Sequence, residues 1–282
     1  MRYQFIADQR GNYPIIHLCR VLDVSASGFY QWTNRTMSKR QQANQALAEQ
    51  IQIIHTNSRA TYGSPRIHAE LKADGIACGI HRVARLMRQI GLKTHAKRRL
   101  HRTTRANPAH EVVKNVLAQD FSATAPNQKW VADITVVETD EGKLYLAGVL
   151  DVFSRKVVGW SMNERMTAQL PSDALDMALQ NRSAPHLHHS DRGSQYTSAT
   201  YLHQLEVHGI LPSMSATGNC YDNAMMESFF ATLKTECVRG RYSSRREARK
   251  DIFRYIEIWY NRHRRHSALG YLSPHAFEAG PS

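Results

Sequence analysis

Little in this 282-residue sequence supports a secreted, cross-linked or membrane-embedded protein. Its four cysteines, Cys19, Cys78, Cys220 and Cys237, are widely separated and form no Cys-x-x-Cys pair. A disulfide framework or a zinc ribbon requires closer, patterned spacing, so reduced structural thiols are expected. No apolar run approaches the roughly 18–20 residues that span a bilayer. The opening segment, Met1 to Phe5, lacks the long apolar stretch of a secretory signal. Fifteen glycines and nine prolines are too few for a collagenous or low-complexity chain. These absences point to a soluble intracellular globular protein, long enough for two modules of roughly 100–200 residues each.

What is present is positive charge, unevenly spread. The formal net charge is +13. Residues 1–118 hold 19 Lys and Arg against 6 Asp and Glu, residues 119–238 hold 8 against 14, and residues 239–282 hold 10 against 4. Two basic ends flank an acidic middle. Basic modules suit a polyanion, because neutralised phosphates release condensed counterions. An acidic centre within a basic protein is unusual for a simple DNA binder, but is expected where carboxylates hold divalent cations beside DNA.

The first 104 residues read as helical. Residues 14–32 form a short helix, a turn and a second helix, with Ser25 placed to cap the second. In residues 44–57, Leu47, Ile51 and Ile54 recur at helical spacing. After the break at Gly63-Ser64-Pro65, a helix over 66–73, a turn at Asp74-Gly75 and a helix over 80–90 make a helix-turn-helix. Val83, Met87 and Ile90 are expected on the buried side of its second helix. Arg82, Arg85 and Arg88 then fan over the other side, as DNA-contacting residues or as a solvated basic face. Lys97, Arg98 and Arg99 form a basic run ahead of the linker and are further candidate DNA contacts, the boundaries being 1–104 for the helical region and 105–119 for the basic linker.

From Gln128 the period changes. Residues 130–138, 144–150 and 156–162 are β-branched and apolar and are separated by short turns, which predicts an antiparallel meander. A helix over 168–182, a strand over 186–189, a helix over 198–208, a strand near 210–212 and a helix over 222–236 follow. This is an α/β order in which helices cover both faces of one sheet. A basic helical extension over 239–282, with an amphipathic helix at 245–260, completes a catalytic unit placed at 120–238.

Three carboxylates stand out. Asp133 is the only acid in the interior of an apolar strand, where burial is costly without a partner or a metal. Asp191 sits where the 186–189 strand ends and a Gly-containing loop begins, a place where ligand sites gather. Glu227 lies on the helix that follows the turn-rich stretch 217–223, with Ala231 and Lys234 on its face. Taken singly, each has an ordinary explanation: a satisfied core acid, a loop cap, a surface charge. Together they suit a hard cation with oxygen ligands. Asp151, which also ends an apolar strand, reads instead as a turn-capping residue. His186, His188 and His189 lack the matching pair that a zinc site requires. The residues alone leave open a strand-transferring enzyme, a hydrolytic nuclease of similar chemistry and a non-enzymatic DNA-binding regulator.

Five stretches carry a resemblance: 126–135, 150–156, 189–196, 218–230 and 260–267, with Tyr62-Gly63-Ser64-Pro65-Arg66 near the start. In them the chain resembles the second-frame (OrfB-type) transposases of bacterial insertion sequences, of the DDE superfamily and related to retroviral integrases. The resemblance extends over nearly the whole chain, and the 35 residues between Asp191 and Glu227 match the family's spacing. It implies a ribonuclease-H-like core with a mixed five-stranded sheet behind the helix-turn-helix module. It places an acidic triad on Asp133, Asp191 and Glu227, as catalytic residues and as ligands of Mg2+ or Mn2+, with two ions per site. It puts Lys234, two helical turns after Glu227, beside the DNA. It further implies cleavage and joining of DNA strands, a homo-multimer on DNA, and a cytoplasmic, nucleoid-associated protein. A first-frame (OrfA-type) protein is expected as its frameshift fusion partner, since the chain opens at Met1 without a zipper.

Overall fold

The computed structural model describes residues 1–94, 113–215 and 220–280. Among them, six helices form the N-terminal region: α1 (Arg2–Gln9), α2 (Ile15–Val21), α3 (Ala26–Thr33), α4 (Lys39–Asn57), α5 (Ser64–Ala73) and α6 (Ile80–Gln89). The first three close around Ile6, Cys19 and Phe29, and the next three around Leu47, Ile51, Tyr62, Ile67, Leu71, Val83, Leu86 and Met87. Ser25 caps α3 by accepting from the Gly28 N–H at 3.0 Å, as its residue type foretold. Two differences from the sequence reading have local causes. Helix α4 begins at Lys39 rather than residue 44, because Ser38 and Gln41 form a reciprocal capping box. Ile90 is exposed, since α6 ends at Gln89, and Leu86 takes its place on the buried side with Val83 and Met87.

The sheet comprises β1 (Lys129–Thr139), β2 (Gly142–Asp151), β3 (Val157–Asn163), β4 (Leu187–Ser190) and β5 (Leu211–Met214), in the order β3-β2-β1-β4-β5. The first three are antiparallel, whereas β4 runs parallel to β1 and β5 parallel to β4. Alternation along the strands divides the core. Trp130, Ala132, Ala147, Val149 and Val158 face α7 (Gln169–Asn181) and α8 (Ala199–Val207). Val131, Leu144, Leu146 and Leu150 face α9 (Ala224–Glu236) and α10 (Arg245–Phe253). Asp151 caps the β2–β3 turn as expected, accepting from the N–H groups of Asn127 at 2.7 Å and Phe153 at 2.8 Å, with Arg182 at 3.8 Å. Among the described residues no helix is long and apolar enough to cross a membrane, and Cys19, Cys78 and Cys237 are free thiols.

The helix predicted over 245–260 is wound in two ways. After α10 the chain continues as a π-helix over Arg254–Tyr260. The wider turn brings Tyr255 and Tyr260, five residues apart, onto the same buried face. A short helix, α11 (Pro274–Ala279), ends the described chain. The N-terminal region docks on this extension. The Arg265 N–H donates to the Tyr62 hydroxyl at 2.7 Å, Arg265 pairs with Glu70 at 2.6 Å, and Arg59 pairs with Asp251 at 3.5 Å.

The β4 histidines are structural. His188 Nε2 lies 3.0 Å from the Tyr201 hydroxyl, and the two ring nitrogens of His189 meet Ser213 at 2.9 Å and Ser215 at 3.1 Å. Burial pushes His188 down to about 3 and His189 down to about 4. A histidine depressed in this way stays neutral when folded but takes up a proton when unfolded. Its contribution to stability is therefore complete above pH 6.5 and lost as pH falls below it. At pH 5 the expected loss from His188 alone is about 2 kcal/mol relative to pH 7. Denaturant unfolding at the two pH values measures it, and equal midpoints and slopes would contradict this assignment.

Candidate active site

Asp133 stands in the middle of β1, opposite Gly148 of β2. A side chain at Gly148 would crowd Met226 at 3.2 Å, so the glycine lets α9 lie close above Asp133. Asp133 Oδ1 accepts from the Ile134 N–H at 2.7 Å. In the adjacent strand, the last register pair is Val131 with His189. Two residues further along each parallel strand come Asp133 and Asp191, which places the two acids side by side at the sheet's centre, where neighbouring strands are about 4.8 Å apart. Asp191 Oδ1 accepts from the Gly193 N–H at 2.9 Å. A Cβ on Gly193 would meet that same oxygen at 3.0 Å, so the turn holding Asp191 favours a residue without a side chain.

Glu227 lies in the first turn of α9, exposed to solvent, and Lys234 lies half-buried in the last. The start of the helix is tied to β1 by Asn223, whose Nδ2 donates to the Ala132 carbonyl at 2.9 Å, one residue before Asp133. The electrostatics show how closely these groups stand. The Asp133 carboxyl is raised well above the ordinary carboxylate range, first by desolvation, then by the charge of Asp191 and, less, that of Glu227; the Ile134 N–H and Lys234 oppose this. Desolvation also raises Asp191, against the Gly193 hydrogen bond. Burial lowers Lys234, while Asp133 pulls the other way. Three acids and one lysine thus share a field in which negative charge is in excess. Among the described residues, however, no group of three or more His, Cys, Asp or Glu side chains is arranged to hold a metal ion.

Sequence reading did not anticipate Tyr196. It is fully buried, its hydroxyl has no hydrogen-bond partner among the described residues, and its ionisation is pushed far up by burial and then by Tyr201, Asp133 and Asp191. Its position in the 189–196 stretch was the only signal. Arg82, Arg85 and Arg88 lie on α6, apart from the acids. Arg88 is exposed, Arg85 is half-buried, and Arg82 donates through Nε to Asn44 at 2.9 Å, which holds it against α4. Lys97, Arg98 and Arg99 lie outside the described residues.

A mixed five-stranded sheet of order β3-β2-β1-β4-β5, with one acid on its central strand, a second just after the neighbouring β4 and helices on both faces, defines a ribonuclease-H-like, integrase-type catalytic core. The integrase core domain family matches residues 123–220, a second integrase core domain family matches 208–274, and the HTH-like domain family matches 42–99. The chain is 47% identical over 283 residues to the transposase InsF for insertion sequence IS3A of Escherichia coli (strain K12), covering 99% of this chain and 98% of that protein. It is 48% identical over 263 residues to the 31 kDa protein of insertion element IS600 from Shigella sonnei, covering 92% and 97%. Among solved structures, a simian T-cell lymphotropic virus intasome in complex with PP2A regulatory subunit B56 gamma is similar at 16% identity, with a TM-score of 0.49 over 81% of this chain and 74% of that one. The chain belongs to the IS3 family of insertion-sequence transposases, enzymes of the integrase–transposase class.

Proposed function

We propose that this chain cleaves DNA strands at the ends of an insertion sequence and joins them to a target through Asp133, Asp191 and Glu227. The observation that carries this reading is the pair Asp133–Asp191. Two carboxylates at the centre of one sheet, both disfavoured as charges by desolvation and Asp133 also by the charge of Asp191, form an arrangement that a divalent cation relieves. The donor set suits Mg2+ or Mn2+: it is all oxygen, and Glu227 on α9 is exposed to solvent. Mg2+ keeps several waters and is held by one or two carboxylates together with substrate phosphates. A closed protein cage is therefore not required of Asp133 and Asp191, and Glu227 completes the set from α9. When bound, such ions, two in each site, supply activation of an attacking oxygen and stabilisation of a leaving 3′ oxygen.

The chain's own residues do the rest. The Gly193 N–H orients the Asp191 carboxylate, and the Ile134 N–H orients that of Asp133. Asn223 fixes the origin of α9, and hence the reach of Glu227. Lys234 offers a cation to a DNA phosphate on the same helix face. Water as the nucleophile gives strand cleavage, and a DNA 3′-hydroxyl gives strand transfer. The α5–α6 unit, with Arg82, Arg85, Arg88 and the basic run Lys97, Arg98 and Arg99, binds the element ends, within a helical region at 1–104 that a linker at 105–119 joins to the core at 120–238 and its extension at 239–282. Holding two ends at once calls for a multimer on DNA, and a first-frame protein fused upstream supplies further end recognition. A DNA substrate places this work at the bacterial nucleoid.

Incubation of the chain, alone and as the upstream fusion, with end-labelled element DNA tests the reading. Shortened and joined strands are expected in Mg2+ or Mn2+ and neither in chelator. Shortened strands with no joined product in any metal would favour a hydrolytic nuclease.

A further inference from the structure

On another side of α9, away from the acids, lies a polar recess that none of the preceding chemistry uses. It is a cavity of about 110 Å3, well above the roughly 10–15 Å3 that one water needs. Its walls bring together three guanidinium groups from distant parts of the chain: Arg66 from α5, Arg155 from the β2–β3 turn and Arg264 from the segment after the π-helix. Ser228 and Thr232 of α9 and His266 complete its polar lining.

The charges do not balance. Glu236 accepts from Arg264 Nε at 2.9 Å and Nη2 at 2.8 Å and from the Tyr255 hydroxyl at 2.9 Å, and Arg264 is its one ion-pair partner among the described residues. The remaining Arg264 nitrogen, Nη1, lies 3.4 Å from His266 Nε2. Arg66 lies over the Tyr62 ring at 5.5 Å, and the Arg155 backbone N–H donates to the Asp151 carbonyl at 2.8 Å. Among the described residues neither Arg66 nor Arg155 takes part in an ion pair. Crowding of positive charge shows at its neighbours. The Arg66 guanidinium is lowered by burial and by Arg264, with the Glu236 charge pulling the other way, and His266 is pushed down to about 2 by burial, then by Arg264, Arg66 and Arg155. His266 is therefore a neutral acceptor that orients Arg264. Two half-buried guanidinium groups turned to a common void without a carboxylate are costly unless an anion joins them. Guanidinium forks match the oxygens of a phosphate in pairs.

We propose that this recess is a phosphate-binding site, and that its occupant is a backbone phosphate of the DNA on which the core acts. Ser228 follows Glu227 directly, so the recess and the acids flank the same first turn of α9, and a strand engaged at one runs past the other. Arg66 brings the HTH-like region into the same site, so that one phosphate ties that region, the sheet and the C-terminal extension together. The choice of occupant rests on the proposed function, although binding at the recess needs neither metal nor catalysis.

The experiment measures binding of element-end duplexes in chelator by the wild-type, Arg155→Gln and Arg155→Lys proteins across a range of salt. A series of duplexes, each with one phosphate replaced by a neutral methylphosphonate, is included. Arg155→Gln is expected to weaken binding about tenfold and to reduce the slope of log affinity against log salt by about 1. One methylphosphonate position is expected to weaken wild type but to cost Arg155→Gln nothing further. Arg155→Lys, which keeps the charge, is expected to keep most of the slope, and so separates a phosphate contact from a folding defect. Identical methylphosphonate profiles in wild type and Arg155→Gln would overturn the proposal. So would thermal protection by inorganic phosphate that depends on Arg155 without any such coupling on DNA, since the occupant would then be a free anion. Coupling retained in a protein that joins no DNA would count against the acidic triad and leave the recess standing.

Discussion

Asp133→Asn is expected to abolish strand cleavage and joining, by at least about 10^3-fold, equivalent to about 4 kcal/mol of lost transition-state stabilisation, while DNA binding in chelator stays within about twofold of wild type. The same substitution is expected to stabilise the metal-free fold. In the folded protein, desolvation and the charges of Asp191 and Glu227 disfavour the ionised form of Asp133. Its carboxyl is raised in the folded state, so the folded protein holds this proton more tightly than the unfolded chain does. The benefit of that proton is complete at low pH and is lost as pH rises through the raised value. An amide keeps the oxygen that accepts from the Ile134 N–H and removes the charge. A gain of about 1 kcal/mol or more is expected at pH 7, read from denaturant unfolding with the metal removed. Added Mg2+ is expected to stabilise wild type and to leave Asp133→Asn unchanged. A variant that still joins DNA, or that is less stable than wild type without metal, would remove Asp133 from the role given to it.

The second large effect concerns stability. Glu236→Ala is expected to destabilise the fold by about 3–5 kcal/mol, lowering the thermal midpoint by roughly 10 °C. Glu236 and Arg264 are each about 5% exposed and meet at 2.8 Å. Tyr255 also donates to Glu236, at 2.9 Å. The Arg264 guanidinium and the Tyr255 hydroxyl draw the Glu236 carboxyl below its ordinary range, against burial. Removing it leaves a buried cation uncompensated, the costly half of breaking such a pair. Glu236→Gln, which keeps an acceptor oxygen, is expected to cost less. The pair lies between the last turn of α9 and the C-terminal extension, so its loss is expected to loosen the helix that carries Glu227. Calorimetry on the three proteins measures the ranking, and a Glu236→Ala midpoint equal to wild type would contradict it.

Much of this molecule is legible in the sequence because its signals are local. The β-branched runs of β1 to β3, the cap at Ser25 and the turn at Asp151 follow from residue type and spacing within a few positions. Asp133 is conspicuous because a lone carboxylate interrupts an apolar strand. Asp191 is conspicuous because a strand ends there in a glycine-containing loop. What the sequence does not display is what depends on distant partners. Glu236 reads as a helical surface acid until Arg264, 28 residues on, is brought against it. The docking of Tyr62 on Arg265 spans 203 positions, and the three arginines of the recess lie on elements with no local relation. Helix α1 escaped notice for another reason: its apolar residues are few, and it gains its place by burying Ile6 against Cys19 and Phe29. The π-helical stretch has the same apolar pattern as an ordinary helix over so short a span, and its wider winding follows from packing Tyr255 and Tyr260 together.

The central claim, that three carboxylates on β1, after β4 and on α9 act as one phosphoryl-transfer site, is tested most directly by strand transfer from a precut element end bearing a free 3′-hydroxyl. Wild type and Glu227→Gln are compared in Mg2+ and in Mn2+, each as the chain and as its upstream fusion. Glu227 is the most exposed of the three acids, so its substitution disturbs the fold least. Metal-dependent joined product from wild type, with at least about 10^3-fold less from Glu227→Gln at equal DNA occupancy, is the expected result. Joined product from Glu227→Gln at the wild-type rate would contradict the account.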